Sequence, residues 1–247
     1  MTAIYRYWRH TSSVTLASED FEHHSPSVRR VLDNPRPSWR GRMHRWMVPV
    51  AALFAVVLVI VADSGMARAV AALYGVACIG LYAASGAAHY KVWEPRRLHR
   101  HFQADQSMIM AFIASTSAPV AYAVGGTSGL LLFGGMVLGA TIGIVAIWLP
   151  FHPPRGFMNT LFLLISWWPI FFVFPLVDGL GGGGFALLLG GGTIFTLGAL
   201  IVGAQWPDPN PHVFGYHEIW HVFVILGNAA HAVLAYLILT GNAPISL

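Results

Sequence analysis

The last long apolar stretch of the chain, residues 217–240, reads HEIWHVFVILGNAAHAVLAYLILT. Its apolar residues run almost without interruption over the ~20 residues that an α-helix needs to cross the hydrocarbon core of a bilayer. The stretch opens with His-Glu-x-x-His, and histidines four residues apart lie on one face of a helix, where both imidazoles can bind one metal ion. The stretch therefore predicts a transmembrane helix that begins with two metal ligands.

Six similar apolar runs precede this one, and the whole chain of 247 residues is 56% hydrophobic and only 10% charged. This composition is typical of a polytopic membrane protein. We expect an all-α fold, a bundle of seven transmembrane helices within a domain of residues 46–247. The seven runs occupy residues 46–62, 69–90, 106–124, 128–149, 158–177, 182–204 and 217–240. The boundary between the fifth and sixth is the least distinct, because only Val177-Asp178-Gly179-Leu180 and the glycine run at 181–184 separate them.

Residues 1–45 are polar and rich in Ser, His and Arg, which predicts a largely disordered tail. The tail contains eight arginines, the connection between spans two and three contains four Lys or Arg, and the connection between spans four and five contains Arg155. A seven-span topology puts these segments on one side and only Arg68 on the other. The positive-inside rule then predicts a cytoplasmic amino terminus and an external carboxyl terminus.

Cysteine content and charge limit the kinds of site that the chain can form. Cys78 is the only cysteine, so the sequence excludes an internal disulfide and a zinc site built from cysteines. A metal ion must then be held by imidazole and carboxylate. The isoelectric point near 9.5 reflects basic residues that lie beside apolar spans. This pattern favours contact with the membrane surface and gives no support for nucleic-acid binding.

Ionisable residues are rare within the spans and are costly to place in a membrane, so they are the candidates for function. On the predicted topology, His89, Asp105, His217 and His221 all lie at the cytoplasmic end. The three histidines are a typical ligand set for zinc, with water in the fourth position. Asp105 is the candidate general base for that water. Ser85 lies one helical turn before His89 and is a candidate for binding a ligand or a substrate oxygen.

Three other residues have more than one interpretation. Glu218 would be the base if the chain were an intramembrane metalloprotease, but the nearest Leu-Asp-Gly-like segment, around Asp178, is upstream of the histidines and at the other face, so we favour a supporting role for it. His231 is expected to make a buried hydrogen bond, with Asn228 or with a polar group on another helix, and a place in a transport path is the alternative. His44 is expected either beside the metal site or at the membrane interface.

Several of these residues together resemble the hemolysin III family, which is related to the progesterone and adipoQ receptors. The resemblance rests on Ser85-x-x-x-His89, on Asp105 in Ala104-Asp105-Gln106-Ser107-Met108-Ile109, and on His217-x-x-x-His221 with His231 beyond. It extends from about Arg36 to Leu239 and includes Arg40-Gly41-x-x-His44. The sequence departs from the family pattern in two places. Many relatives carry acidic residues and asparagine before the first-span histidine, where this chain has Arg40-Gly41-Arg42. Bacterial relatives usually have histidine at the position of Gln106.

The resemblance implies a seven-helix bundle with a zinc ion held by His89, His217 and His221, with Asp105 fixing a bound water and Ser85 beside the site. Relatives include receptors with ceramide-hydrolase activity and bacterial proteins linked to haemolysis or to membrane lipid homeostasis. The main hypothesis is a zinc-dependent hydrolase whose substrate is a membrane lipid amide or similar acyl group. The alternatives are a zinc-stabilised sensor or scaffold without turnover, an intramembrane metalloprotease, and an ion transporter.

Overall fold

The computed structural model describes Val28 and residues 36–91, 93–150 and 157–244, and these residues are almost entirely helical. Apart from an isolated bridge between Asn210 and Phe214, they contain no β-structure. The helices are α1 (Arg42–Val61), α2 (Gly65–Ala88), α3 (Pro95–Val124), α4 (Gly126–Trp148), α5 (Phe157–Ser166), a 3₁₀ turn (Trp168–Phe172), α6 (Val173–Ala204) and α7 (Tyr216–Leu239). The predicted all-α class is confirmed.

Six helical segments within the described residues are long and apolar enough to cross a membrane. Five are the single helices α1, α2, α3, α4 and α7. The sixth is the 48-residue segment Phe157–Ala204, in which the sequence predicted two spans, 158–177 and 182–204. The structure therefore gives six candidate spans where the sequence predicted seven, because α5, the 3₁₀ turn and α6 follow one another without a polar connection.

The segment Phe157–Ala204 changes its packing partner along its length. Its first part runs antiparallel to α4, since Ile165 lies against Gly139 and Trp168 lies against Gly135. Near its middle, Gly181 has φ 70° and ψ 171°, a backbone conformation that interrupts the helix and that favours glycine. Beyond this point the segment runs antiparallel to α7, with Gly191 against His231 and Gly198 against Trp220.

A buried polar cluster holds α2 and α7 together in the interior of the bundle. The Asn228 amide donates to the Tyr82 hydroxyl at 2.9 Å and to the Cys78 sulfur at 3.1 Å, and its carbonyl oxygen accepts from the Tyr74 hydroxyl at 2.7 Å. Buried polar groups are costly unless they are paired, so this cluster fixes the register between the two helices. It also shows that Asn228 is bonded across to α2.

Large apolar side chains cover much of the outer surface, as a bilayer requires. Leu53, Ile60, Leu130, Phe171 and Phe174 are each more than two thirds exposed. A water-soluble monomer rarely exposes so large an apolar area. Together with the six apolar segments, this surface identifies a multi-pass membrane protein.

The ordered fold begins inside the region predicted as a disordered tail. Residues 1–35, except Val28, lie outside the described residues, but Pro37–Gly41 form a turn and α1 starts at Arg42. Ser38 and Trp39 donate backbone hydrogen bonds to the carbonyls of His212 and Val213, at 2.9 and 3.2 Å. The segment before α1 is thus attached to the loop that leads into α7.

Candidate metal centre

Two helices, α2 and α7, bring His89, His217 and His221 together at one end of the bundle. One ring nitrogen of each histidine lies within 4.8 Å of the corresponding nitrogens of the other two. His89 ends α2, whereas His217 and His221 lie in the first two turns of α7. The Nε2 atoms of His89 and His217 are 3.2 Å apart. The sequence-predicted ligand set therefore forms one compact cluster.

The chemistry and spacing of this cluster fit a zinc ion. Imidazole nitrogens bind zinc at ~2.0–2.1 Å in tetrahedral geometry, which puts two such nitrogens about 3.3 Å apart. The 3.2 Å between His89 Nε2 and His217 Nε2 agrees with that spacing. His221 is buried, and among the described residues its Nδ1 atom has no hydrogen-bond partner. Three adjacent imidazoles without a carboxylate or thiolate between them form a donor set suited to zinc.

Asp105 lies beside this cluster on α3. Its Oδ2 atom is 3.4 Å from His89 Nε2, and its side chain is 13% exposed. The carboxylate thus lies at the edge of the imidazole cluster and keeps access to the adjacent cavity. A side chain that exchanges a proton with a water molecule must lie within reach of that water. The location of Asp105 meets this requirement for a water molecule at the cluster.

Ser85 and His44 form a second, buried pair next to the cluster. The Ser85 hydroxyl lies 2.8 Å from His44 Nδ1. The His44 ring stacks on the His221 ring, with centroids 3.9 Å apart and an interplanar angle of 18°. The sequence left two locations open for His44, beside the metal site or at the membrane interface. The structure shows it beside the site. Ser85 is paired with His44, a contact that helix periodicity alone cannot indicate because the two residues lie on different helices.

Glu218 is completely buried and has partners for both carboxylate oxygens. Its Oε2 accepts from the Gly215 backbone N–H at 3.0 Å, and its Oε1 accepts from Arg40 Nε at 2.5 Å. Glu218 therefore caps α7 and fixes the turn before α1, and does not face the lipid headgroups. Its supporting role follows from these contacts, although the Arg40 partner, 178 residues earlier in the chain, was not indicated by the sequence.

Breaking this ion pair is expected to destabilise the protein strongly. Arg40→Ala leaves the Glu218 carboxylate buried without a cation, which typically costs about 3–5 kcal/mol. The matched control is Arg97→Ala, because Arg97 and Glu94 form an exposed pair at 3.9 Å; such pairs contribute about 0–1 kcal/mol. Equal losses in the two variants, measured by unfolding in detergent, would show that the Arg40 contact is not structural.

The turn before α1 also contacts the carboxyl end of α2. Arg36 Nη2 donates to the carbonyl oxygens of His89 and Tyr90, both at 2.6 Å. Gly41 has φ 73°, and a Cβ atom there would lie 2.8 Å from the His89 backbone, so only glycine fits. Burial lowers the pKa of Arg36, and the positive charges of Arg40 and Arg45 lower it further. This turn was not predicted, because its polar residues belong by composition to the adjoining tail.

His231 lies apart from the cluster, deeper in the bundle. Its Nε2 atom is 3.2 Å from the backbone carbonyl oxygen of Leu188 on α6, and its ring packs against Gly191 and Phe195. The expected buried hydrogen bond is thus made with another helix and not with Asn228. Fourteen residues along α7 from His217 correspond to ~21 Å, too far to share one ion.

A cavity of about 370 Å³ connects the cluster with the interior of the bundle. Asp105, Ser85 and the three clustered histidines line it at one end. Its deeper walls are mainly apolar and include Phe112, Val120, Leu132 and Leu176. Asp105 and Val120 are fifteen residues apart on α3, so the cavity extends about 22 Å along this helix. An elongated apolar ligand can therefore reach the cluster from inside the bundle.

The sequence of this chain is similar to a known protein family and to two known bacterial proteins. The family described as "Haemolysin-III related" matches residues 32–232. "Hemolysin-3" of Bacillus cereus is 31% identical over 196 residues, which cover 76% of this chain and 85% of that protein. "Hemolysin-3 homolog" of Bacillus subtilis (strain 168) is 31% identical over 129 residues, which cover 51% of this chain and 57% of that protein. All the clustered histidines fall within the family match.

Proposed function

The chain belongs to the haemolysin III-related family of membrane proteins, and on this premise we propose that it is a zinc-dependent hydrolase that cleaves a lipid amide or a similar acyl bond. The observation that carries the proposal is the cavity in which the imidazole cluster and Asp105 lie at one end of an apolar chamber. A purely structural metal site needs no such chamber. A hydrolase that acts on lipids needs both parts.

In this proposal His89, His217 and His221 hold the zinc ion. When bound, zinc supplies a Lewis acid that polarises a carbonyl group and lowers the pKa of water toward ~7. The chamber binds the acyl chain and brings the carbonyl carbon to the cluster. Asp105 orients the attacking water and accepts a proton from it at a carboxylate oxygen. As the carbon–nitrogen bond breaks, Asp105 returns that proton to the departing amine.

The contacts of Glu218 give no support to the protease alternative. The glutamate of His-Glu-x-x-His acts as base only if a carboxylate oxygen faces the metal, and both oxygens of Glu218 already accept hydrogen bonds from Gly215 and Arg40. Asp178 lines a separate pocket with residues of the connection between α3 and α4. It therefore lacks access to the histidines.

We further infer that the chain crosses the bacterial inner membrane seven times, with a cytoplasmic amino terminus. A helix of 48 residues measures about 72 Å, more than twice the ~30 Å of a hydrocarbon core. The interruption at Gly181 and the change of packing partner from α4 to α7 support two crossings within Phe157–Ala204. A cysteine introduced at Asn242 should react with an impermeant reagent added outside the cell, and protection there would contradict this topology.

The proposal is tested by assaying purified protein with N-acyl amide lipids and measuring release of the free fatty acid. Hydrolysis is expected to stop when a chelator removes the metal and to resume when zinc is restored. Zinc-loaded protein that stays folded and releases no fatty acid from a broad panel of lipid amides and esters would contradict the hydrolase. That result would favour a zinc-stabilised scaffold.

A further inference from the structure

The end of the cavity beside the imidazole cluster, which we call the mouth, carries several positive charges. Its lining includes Arg36, Arg40 and Lys91 and one acidic residue besides Asp105, namely Asp208. Arg40 is paired with Glu218, and Asp208 Oδ1 accepts from the Tyr216 backbone N–H at 3.0 Å. Arg40 and Asp208 therefore already have partners within the protein.

Arg36 differs from its neighbours in its partners. Its guanidinium donates to two backbone carbonyl oxygens, and among the residues that the structure describes no carboxylate lies within ion-pair distance of it. Its charged neighbours include the cations Arg40, Arg42 and Arg45 and the carboxylate of Glu218. A partly buried guanidinium in such surroundings is a favourable site for an anion.

The parts of the cavity follow one another in a defined order. Arg36 contacts the carbonyl of His89, so it lies next to a residue of the imidazole cluster. On the other side of the cluster the walls are apolar, with Phe112, Val120 and Leu176. A molecule that fills the cavity therefore meets positive charge, then the cluster, then an apolar chamber.

We propose that this mouth binds the anionic headgroup of a lipid, a phosphate or a carboxylate, with Arg36 as the principal contact. The inference rests on the proposed function, since it takes the cavity as the substrate site. It identifies the substrate class as lipids with an anionic headgroup. The bond at the cluster is then the one that joins the headgroup portion to the acyl chain. Arginine suits this role because its planar fork binds oxyanions through two hydrogen bonds.

The test measures binding of three probes to the full-length protein in lipid nanodiscs: dodecyl phosphate, dodecanol and inorganic phosphate. Dodecyl phosphate is expected to bind at least about tenfold more tightly than either dodecanol or inorganic phosphate, because only it satisfies both the arginine and the chamber. Arg36→Ala should remove this advantage. Arg42→Ala is the matched control, since Arg42 is exposed and lies outside the cavity lining; its effect should stay below about twofold.

Arg36→Gln covers the case in which Arg36→Ala does not fold, because glutamine keeps an amide donor for the His89 carbonyl without the charge. Equal binding of dodecanol and dodecyl phosphate, or equal losses in the Arg36 and Arg42 variants, would overturn the inference. Inorganic phosphate that binds as tightly as dodecyl phosphate would also overturn it and would identify a free anion as the ligand.

Failure of this inference and failure of the proposed function give different results, because binding is measured without turnover. Arginine-dependent binding of dodecyl phosphate by a protein that hydrolyses nothing would contradict the hydrolase alone. Hydrolysis of a lipid amide with an anionic headgroup at the same rate by wild type and Arg36→Gln would contradict the headgroup site alone.

Discussion

Replacing Asp105 with Asn is expected to lower lipid amide hydrolysis by about 10²–10⁴-fold while zinc stays bound. Asparagine has nearly the same shape but cannot accept the proton of the attacking water. His89 Nε2, 3.4 Å from the Asp105 carboxylate, keeps its place in the imidazole cluster. The measurement is the initial rate of fatty-acid release, together with zinc content of the same preparation.

Asp208→Asn is the matched control for this variant. Asp208 is also an acid that lines the cavity, but its contact is with the Tyr216 backbone at the mouth and not with the cluster. Its rate should stay within about threefold of wild type, since it has no part in proton transfer. Asp105→Asn with unchanged zinc content and an unchanged rate would remove Asp105 from the mechanism.

Replacing His217 with Ala is expected to reduce bound zinc from about one ion per chain to a trace. The change removes one of three imidazoles, and two histidines alone bind zinc weakly against competing buffer ligands. Zinc is measured by mass spectrometry of purified protein, and hydrolysis should disappear together with the metal.

His231→Ala is the control, because it removes a partly buried histidine from the same helix about 21 Å away from His217. Its imidazole is bonded to the Leu188 carbonyl and should not affect zinc content. Equal zinc loss in both variants would indicate that a damaged α7, and not a missing ligand, causes the loss. Full zinc content in His217→Ala would contradict the proposed ligand set.

The residues of the candidate site could be chosen from the sequence, because helix ends at the same membrane face lie near one another in a bundle. The alternation of the predicted spans put one end each of spans two, three and seven at the same face. The rare ionisable residues at those ends included His89, Asp105 and His217. What this reasoning cannot supply is the arrangement between helices. The pairing of Ser85 with His44 depends on the rotation of α1 against α2, which apolar periodicity in a membrane helix does not specify.

The least predictable part was the short segment before α1. Its polar composition resembles that of a disordered tail, yet Arg36 and Arg40 bond to His89 and Glu218, residues 53 and 178 positions away. Such contacts are set by the tertiary fold and leave no local pattern. The segment Phe157–Ala204 differs from the prediction in another way. Its apolar residues predicted two spans, whereas the structure has one long apolar helical segment that is interrupted at Gly181.

The central claim, that His89, His217 and His221 bind a zinc ion, is tested most directly by X-ray absorption at the zinc edge on purified, unmutated protein. The account predicts about one zinc per chain, coordinated by three nitrogen ligands at ~2.0–2.1 Å and one oxygen. Folded protein that contains no zinc and takes up none when zinc is supplied, or a zinc spectrum without imidazole scattering, would contradict it.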